Sequence, residues 1–388
     1  MSLYQRIREE AARRADALWA VASALHAEPE TAFAEHRAAA LLSGELEGAG
    51  FEVRREVAGL PTAFTARSGE GRPVVAFPLE YDALPGLGHA CGHNLIAAAG
   101  LGAALVVDAV RDGAPGTVLA VGTPAEEGGG GKALEVEAGV FDGVDAALMF
   151  HPGVYDWMRA PLTAQEQYRV AFRGRAAHPT GNPTEGIDAL AALIELFNVV
   201  SALGRRLPEG SHVQGIITHG GTATNIVPEY AEGRFGLRAL TTAALDELAA
   251  QVRTAAEGVA LATGTSVTVE RASVRYEHFR DSTVLSERFA GHLDRAGITL
   301  TPPAPGVYLG SSDIGNVSGR VPAIHPFVAI MGADGSDHTP EFAQAAASER
   351  ARGVLLAVVE ALACTAADVL REAELRGRAW EDLRRAPA

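Results

Sequence analysis

The feature that most constrains the fold is a set of three short hydrophobic runs within the first 150 residues. The runs PVVAFPL (73–79), TVLAVG (117–122) and DAALMF (145–150) contain few polar residues. Strands that are buried on both faces have this composition, whereas strands with one face in water alternate apolar and polar residues. An apolar segment of helical composition, 94–110, lies between the first two runs. Strand, helix and strand in this order predict a parallel sheet covered by helices.

A second pattern of elements occupies residues 162–275 and interrupts the first. Its order, βαββαβ, is typical of a compact α/β sandwich. Its predicted elements are strand 165–172, helix 185–203, strands 213–218 and 229–240, helix 242–262 and strand 266–274. After it come helix 281–296, strand 323–331 and one or two helices in 340–371. We therefore expect an α/β protein with two domains: residues 1–161 and 276–388 around a central, mostly parallel sheet, and an inserted domain of residues 162–275.

Charge and composition exclude several classes of protein. A formal net charge of −15 leaves no basic excess to displace counterions from phosphates, which excludes nucleic acid as a partner. No apolar run reaches the roughly 18 residues that a membrane span requires, and the charged N-terminus is typical of an amphipathic helix and not of a signal peptide. The two cysteines, Cys91 and Cys364, cannot form a disulfide framework. We expect a reduced, cytoplasmic protein without a membrane partner.

Polar residues follow each of the three hydrophobic runs. Glu80 and Asp82 come after the first run, Glu126 and Glu127 after the second, and His151 directly after the third. The carboxyl ends of parallel strands lie along one edge of a sheet, and ligands bind in the crevice outside that edge. Carboxylates and an imidazole from three strands are therefore expected at a common rim.

The sequence HACGH (89–93) lies between the first run and the apolar helix. Cys, His and Glu side chains together are a ligand set for zinc and related divalent metals. In the adjacent pair at 126–127, one carboxylate can ligate a metal while the other acts as general base towards water, whose pKa a metal lowers from 15.7 to about 7. Two alternatives stay open: Cys91 as a nucleophile, and His89 as either a further ligand or a hydrogen-bonding loop residue.

Six segments resemble a metallopeptidase and amidohydrolase family that includes aminoacylases, glutamate-releasing carboxypeptidases and the plant auxin-conjugate hydrolases. They follow the order of that family and are GHACGHN (88–94), TPAEEGGGGK (123–132), FHP (150–152), GRAAHP (174–179), TNIVPEYAEGRFGLR (224–238) and GSDHTPEF (335–342). The variants EYDALPGLGHACGHN (80–94) and GSSDIGNVS (310–318) are most similar to the branch that contains a β-alanyl-lysine dipeptidase.

The resemblance implies two divalent metal ions, either zinc or manganese, cobalt or nickel. The implied metal ligands are Cys91, His93, Glu127, His151 and His338. Glu126 takes the role of general base. We interpret Asp82 as a carboxylate that hydrogen-bonds to a metal-bound histidine and orients it.

The resemblance also implies contacts with the substrate and a metal-binding domain that carries an inserted lid or dimerisation domain. His178 would reach the active site of the neighbouring subunit and polarise the scissile carbonyl. Asn225 and Arg238 would hold the substrate, Arg238 through a bidentate pair with its carboxylate. Asp313 is either a substrate contact or a turn former.

These assignments predict a homodimer that hydrolyses an amide bond in a dipeptide or N-acyl amino acid, with a metal-activated water and Glu126 as its base. One alternative is a deacylase of a non-peptide or aryl-amide conjugate such as p-aminobenzoyl-glutamate. Another is a catalytically idle metal-binding or partner-binding protein on the same scaffold. That alternative predicts a missing base or ligand, and none is missing from the sequence.

Overall fold

The computed structural model describes residues 1–182 and 184–386, and these residues separate into two compact units. The first unit contains Met1–Pro161 and Phe279–Ala386, and the second contains Leu162–His278. The predicted first domain extends to residue 388, and its last two residues lie outside the described ranges.

Both units contain helices and strands. The first unit begins with α1 (Leu3–Ala27), α2 (His36–Gly48), β1 (Glu52–Arg55), β2 (Phe64–Glu70), β3 (Val74–Leu79), α3 (His93–Val110), β4 (Gly116–Gly122), α4 (Gly131–Glu137), β5 (Ala146–Leu148) and β6 (His151–Gly153). The second unit consists of β7 (Ala164–Arg173), α5 (Ala189–Gly204), β8 (His212–His219), β9 (Tyr230–Ala239), α6 (Thr242–Thr263) and β10 (Ser266–Arg271). The first unit then continues with α7 (Thr283–Arg295), α8 (Ile314–Ser318), β11 (Ala323–Ile324), β12 (Phe327–Ala329), α9 (Pro340–Ala345), α10 (Glu349–Arg371) and α11 (Ala373–Arg385).

Within the described residues of the first unit, a six-stranded sheet has the order β1-β2-β4-β3-β5-β11. Strand β3 pairs in parallel with β4 and with β5, and β11 pairs in parallel with β5. Strands β1 and β2 complete one edge through antiparallel pairs. Helix α3 contacts β3 and β4, while α1 and α10 pack on α3. The predicted α/β fold with a mostly parallel sheet is confirmed.

Two predicted strands are each divided in the structure. The run 145–150 contains β5, and His151 directly after the run begins β6, which pairs in parallel with β12. The run 323–331 likewise contains β11 and β12, separated by His325 and Pro326. Proline has no backbone N–H to continue a ladder, whereas its carbonyl accepts the N–H of His151 at 2.9 Å. The chain thus passes from the main sheet into the two-stranded sheet of β6 and β12, and His151 lies near the rim of the main sheet.

Helices α3 and α10 are the core helices of the first unit. Among the described helices, these two have the length and mean hydropathy, 1.6 and 2.0, of a membrane span. Burial inside the fold covers 89% and 78% of their apolar windows. A helix that is apolar on all sides because other elements surround it has this composition, so packing accounts for both.

The second unit contains, in the part of the chain that the structure describes, a four-stranded antiparallel sheet of order β10-β7-β9-β8. Helices α5 and α6 contact the sheet, and alternate residues of β9, among them Phe235 and Leu237, are buried in the core beneath them. Strand β8 lies at an edge, where Ile216 and Ile217 are 61% and 47% exposed. The predicted βαββαβ order is therefore present.

Candidate metal centre

Metal-ligating side chains of the first unit meet beyond the carboxyl ends of β3 and β4. They form overlapping groups, and within each group the ligand atoms lie within 4.8 Å of one another. The groups are Cys91, His93 and His151; Cys91, Asp337 and His338; and His93, Glu126 and Glu127. Because two of these residues each belong to two groups, the donors form one continuous cluster, which we call the donor cluster.

The distances within the donor cluster are close to those between ligands of a shared cation. Cys91 Sγ lies 3.5 Å from His151 Nε2. Glu127 Oε1 lies 3.9 Å from His93 Nε2 and 3.6 Å from His338 Nε2. Bonds of about 2.0–2.3 Å to one tetrahedral ion place ligand atoms roughly 3.3–3.8 Å apart. The residues present therefore fit a metal centre.

Two atoms of the donor cluster give independent support for a cation. His93 Nε2 and Glu127 Oε1 are both buried, and neither has a hydrogen-bond partner among the described residues. A buried polar atom without a partner costs about 1–3 kcal/mol. A cation bound by the lone pairs of His93 Nε2 and Glu127 Oε1 would remove this cost. Binding of a cation therefore explains why these two atoms face each other.

The backbone that carries the donors is unusual at two positions. Gly92 has φ +77°, and a Cβ added there would lie 2.4 Å from Pro152 Cγ, so the turn between two donors accepts only glycine. His338 has φ +56°, and its N–H donates to the carbonyl of Ala90 at 2.9 Å. A left-handed conformation is uncommon outside glycine and concentrates at functional sites.

Asp82 connects two residues of the donor cluster. Its Oδ1 lies 3.1 Å from His93 Nδ1, and its Oδ2 accepts the backbone N–H of Glu127 at 2.9 Å. Burial acts to raise the pKa of Asp82, but the hydrogen bond with His93 brings that pKa below its ordinary value. Because Asp82 engages Nδ1, the other ring nitrogen of His93 is the one directed at the donor cluster.

Burial also shifts the acidity of Glu126 and Cys91. It raises the pKa of Glu126 well above its ordinary value, and the charges of Glu80 and Asp313 act in the same direction. A carboxyl group with a raised pKa is suited to accept and release a proton near neutral pH. Burial raises the pKa of the Cys91 thiol as well, and this favours a metal ligand over a nucleophile, because a buried thiolate requires a positive partner.

Sequence reasoning missed two residues here. Asp337 shares a group with His338, its neighbour in the chain, and that adjacency was the available signal.

Lys132 is the second residue that was missed. It is fully buried, with Nζ 2.5 Å from Glu80 Oε1 and 2.7 Å from Asp313 Oδ1. A lysine after four glycines carries no sequence signal of burial. Asp313 is thus paired with Lys132 inside the first unit, and its contact with substrate stays a prediction.

Two other residues with metal-ligating side chains are explained by packing. His89 is buried, its Nε2 lies 3.1 Å from the carbonyl oxygen of Leu25, and burial lowers its pKa to about 3. Cys364 is buried within α10. Neither belongs to a donor group among the described residues, and the hydrogen bond favours the loop-residue interpretation of His89.

The remaining predicted site residues belong to the second unit. His178 lies in the loop after β7, where its Nδ1 accepts the backbone N–H groups of Thr180 at 3.2 Å and Gly181 at 3.1 Å. Asn225 is exposed between β8 and β9. Arg238 lies at an exposed position on β9. The substrate contacts of all three stay predictions.

A mostly parallel α/β sheet with Cys, His and Glu donors at its carboxyl edge, and a carboxylate of raised pKa beside them, defines a metal-dependent hydrolase. Residues 76–361 match the model of peptidase family M20/M25/M40. The chain therefore belongs to peptidase family M20/M25/M40, and it is a metal-dependent hydrolase of amide bonds.

Similar proteins span most of the chain. Xaa-Arg dipeptidase from Mus musculus is 36% identical over 390 residues, which cover 95% of this chain and 89% of that protein. One of the polypeptides of p-aminobenzoyl-glutamate hydrolase from Escherichia coli (strain K12) is 39% identical over 260 residues, or 62% of this chain and 54% of that protein.

Two solved structures share the fold. An aminobenzoyl-glutamate utilization protein from Klebsiella pneumoniae has a TM-score of 0.72 at 21% identity, covering 93% of this chain and 97% of that one. A dinuclear metal-binding peptidase of the M20 family from Bacillus subtilis has a TM-score of 0.66 at 21% identity, covering 89% of this chain and 97% of that one.

Proposed function

We propose that this protein is a dinuclear metal peptidase that cleaves dipeptides or N-acyl amino acids. Its preferred substrates are dipeptides that end in arginine or lysine. The observation that carries the proposal is the position of Glu126 in one group with the donors His93 and Glu127. The similarity to an Xaa-Arg dipeptidase over 95% of the chain supports the basic C-terminal residue, as does the resemblance of the 80–94 and 310–318 segments to a β-alanyl-lysine dipeptidase.

Five residues would hold two divalent ions: Cys91, His93, Glu127, His151 and His338. Their mixture of thiolate, imidazole and carboxylate admits zinc, manganese, cobalt or nickel. When bound, the ions polarise the scissile carbonyl and lower the pKa of water. Glu126 takes a proton from the attacking water and transfers it to the leaving amine. Asp82 keeps His93 oriented through its contact with Nδ1 of the ring.

The second unit would act as a lid and dimerisation domain that supplies the substrate contacts. His178 from the neighbouring subunit donates a hydrogen bond to the scissile carbonyl. The backbone N–H groups of Thr180 and Gly181 both donate to Nδ1. A neutral ring therefore carries its proton on Nε2, and this supports the role. Arg238 pairs with the substrate carboxylate, and Asn225 holds the substrate beside it.

The exposed edge strand of the second unit supports a homodimer, and the two free cysteines support a cytoplasmic location. An edge strand with exposed apolar side chains, such as β8 with Ile216 and Ile217, favours pairing with another copy of the chain. Both cysteines are free and buried, as expected for a protein of a reducing compartment.

Hydrolysis of an aryl amide such as p-aminobenzoyl-glutamate is a second candidate, favoured by the 39% identity to one polypeptide of such a hydrolase. A catalytically idle scaffold is disfavoured, because the five donors and the adjacent Glu126 are all present.

A hydrolysis screen on metal-loaded protein tests these proposals. The substrates are β-alanyl-lysine, Xaa-Arg dipeptides, N-acetyl amino acids and p-aminobenzoyl-glutamate. The variant Glu126→Gln is expected to lose at least about 10²-fold in kcat and to retain its metal, because only the base is removed. Glu137→Gln, an exposed position on α4, is the matched control. Equal activity of Glu126→Gln and parent would contradict the role of Glu126, and cleavage of the aryl amide alone would select the second candidate.

A further inference from the structure

A buried ion triad lies directly behind the donor cluster. It consists of Glu80, Lys132 and Asp313, whose side chains are 1%, 0% and 0% exposed. Lys132 Nζ lies 2.5 Å from Glu80 Oε1 and 2.7 Å from Asp313 Oδ1. The second oxygen of Asp313 accepts the backbone N–H of Lys132 at 2.9 Å. Three residues that are distant in the sequence therefore contact one another in the buried interior.

The triad reaches the donor cluster through the free end of Glu80. While Oε1 faces Lys132, Oε2 lies 3.5 Å from His93 Nε2. That nitrogen is the ring atom of His93 that Asp82 leaves unengaged. Glu80 thus directs a carboxylate oxygen at the same ring atom that faces Glu127.

The charges of the triad do not cancel. Two carboxylates surround one ammonium group, so their formal charges sum to one negative unit, and burial protects this charge from screening by water and salt. Burial disfavours a charged lysine, but Asp313 and Glu80 raise the pKa of Lys132 above its ordinary value and keep it protonated. Stability alone does not explain a buried ion triad, because hydrophobic residues of similar volume are often equally stabilising.

We propose that Lys132 and Asp313 are positioning residues that hold the Glu80 carboxylate against His93, and that this fixed negative charge strengthens the binding of divalent metal. The inference rests on the proposed metal centre. It gives Asp313 a function through Lys132 that does not depend on contact with substrate. Outer partners of metal-binding residues commonly change metal affinity by about 10- to 100-fold, and that is the size of effect we expect.

The test measures metal affinity, apart from activity, by competition between the full-length protein and a zinc chelator. Glu80→Gln keeps the shape of the side chain and removes its charge, so it is expected to bind zinc about 10- to 100-fold more weakly. Glu80→Asp keeps the charge but shortens the reach by one methylene, and it is expected to recover less than half of this loss on a logarithmic scale. Asp368→Asn, at a buried carboxylate whose partners are Tyr4, Arg288 and His292, is the matched control and should bind like the parent.

Lys132→Met leaves two buried carboxylates without their partner and therefore risks unfolding. The double variant Lys132→Met/Glu80→Gln removes one charge of each sign and serves in its place. It keeps the net charge of the triad but not the charge beside His93, so zinc binding as weak as in Glu80→Gln is expected. The metal-dependent rise in Tm, measured against chelator-treated protein, should shrink in both variants.

Two failures are distinguishable. A parent protein that binds no zinc, manganese, cobalt or nickel would overturn the proposed metal centre itself. A parent that binds zinc, together with a Glu80→Gln variant of equal affinity, would overturn the role of the triad and leave the proposed function intact. Full recovery by Glu80→Asp would likewise overturn the positioning role, because charge alone would then suffice.

Discussion

The side chain of Glu35 accepts the backbone N–H of Ala125 at 2.9 Å, across 90 residues of sequence. Glu35 is completely buried, and its other oxygen accepts the hydroxyl of Thr62 at 2.9 Å. Ala125 has φ +60°, an uncommon conformation for alanine, and it directly precedes Glu126. One buried carboxylate therefore stabilises the turn that presents the proposed base.

Replacement of Glu35 should consequently impair catalysis from a distance. Glu35→Ala removes the acceptor of two buried donors, and we expect a loss of about 2–5 kcal/mol in the free energy of unfolding. We also expect kcat to fall about tenfold or more, because Glu126 loses its fixed position. Glu35→Gln retains an acceptor oxygen and should lie closer to the parent in both respects. Urea unfolding and steady-state kinetics measure these effects, and an unchanged kcat in Glu35→Ala would contradict the positioning role.

The loop at His178 should hold one tautomer of the imidazole. Since Nδ1 accepts the N–H groups of Thr180 and Gly181, the neutral ring carries its proton on Nε2. Long-range ¹H–¹⁵N NMR spectra of histidine-labelled protein distinguish the two tautomers directly. We expect His178→Ala to lower kcat about 10²- to 10³-fold, as for the loss of one donor to a developing oxyanion. His219→Ala, at an exposed histidine of the same unit, is the control. A proton on Nδ1 would rule out this assignment.

The edge strand β8 should carry the dimer contact. Ile216→Lys places a charge on an exposed apolar edge, which is a common means of blocking strand pairing. We expect the dissociation constant of the dimer to rise about tenfold or more, corresponding to roughly 1.4 kcal/mol. Light scattering over a range of protein concentrations measures it. Leu261→Lys, at a position 87% exposed on α6, provides the comparison. A parent that is monomeric at every concentration would refute the dimer.

Asp281 should make the stability of the first unit depend on pH. Burial raises the pKa of Asp281 to about 7, from an ordinary value of 3.8. The folded state therefore holds a proton that the unfolded state releases between pH 4 and pH 7, and stability falls as the pH rises through this window. Between pH 5 and pH 8 we expect the parent to lose about 2–3 kcal/mol relative to Asp281→Asn.

Urea unfolding of both proteins at the two pH values measures this difference. The asparagine keeps an acceptor for the hydroxyl of Ser286, which lies 2.6 Å from the carboxylate. Asp294→Asn, at an exposed position, serves as the control. Parallel pH profiles of parent and Asp281→Asn would show that Asp281 ionises normally.

Burial on both faces made part of the fold predictable. Strands β3 and β4 are buried along almost their whole length, so their sequences are continuous hydrophobic runs. Strands β1 and β2 escaped prediction, because β1 is the exposed edge, with the sequence EVRR, and β2 carries a glycine and several polar residues. Helix α11 was missed for a related reason: only Leu375 and Ala379 of its residues are buried, and the hydrophobic pattern is correspondingly weak.

The candidate site divides in the same way. Cys91, His93 and the pair at 126–127 were predictable, because short motifs that follow buried strands bring unlike donors to one rim. Glu35 and Lys132 had no such signal. An acidic residue before a helix and a lysine after glycines are usually exposed, and only the completed fold removes them from water.

The sequence alone determined the buried strands β3 and β4, the chemical identity of the donors and the order of the motifs, because these depend on local composition and on short spacings. The tertiary structure alone decided which polar groups are buried together: the carboxylate of Glu35 with the backbone N–H of Ala125, and Lys132 between Glu80 and Asp313. These pairings join residues as far apart as 181 positions. Their energies depend on the exclusion of water, which no local segment achieves before the chain has packed.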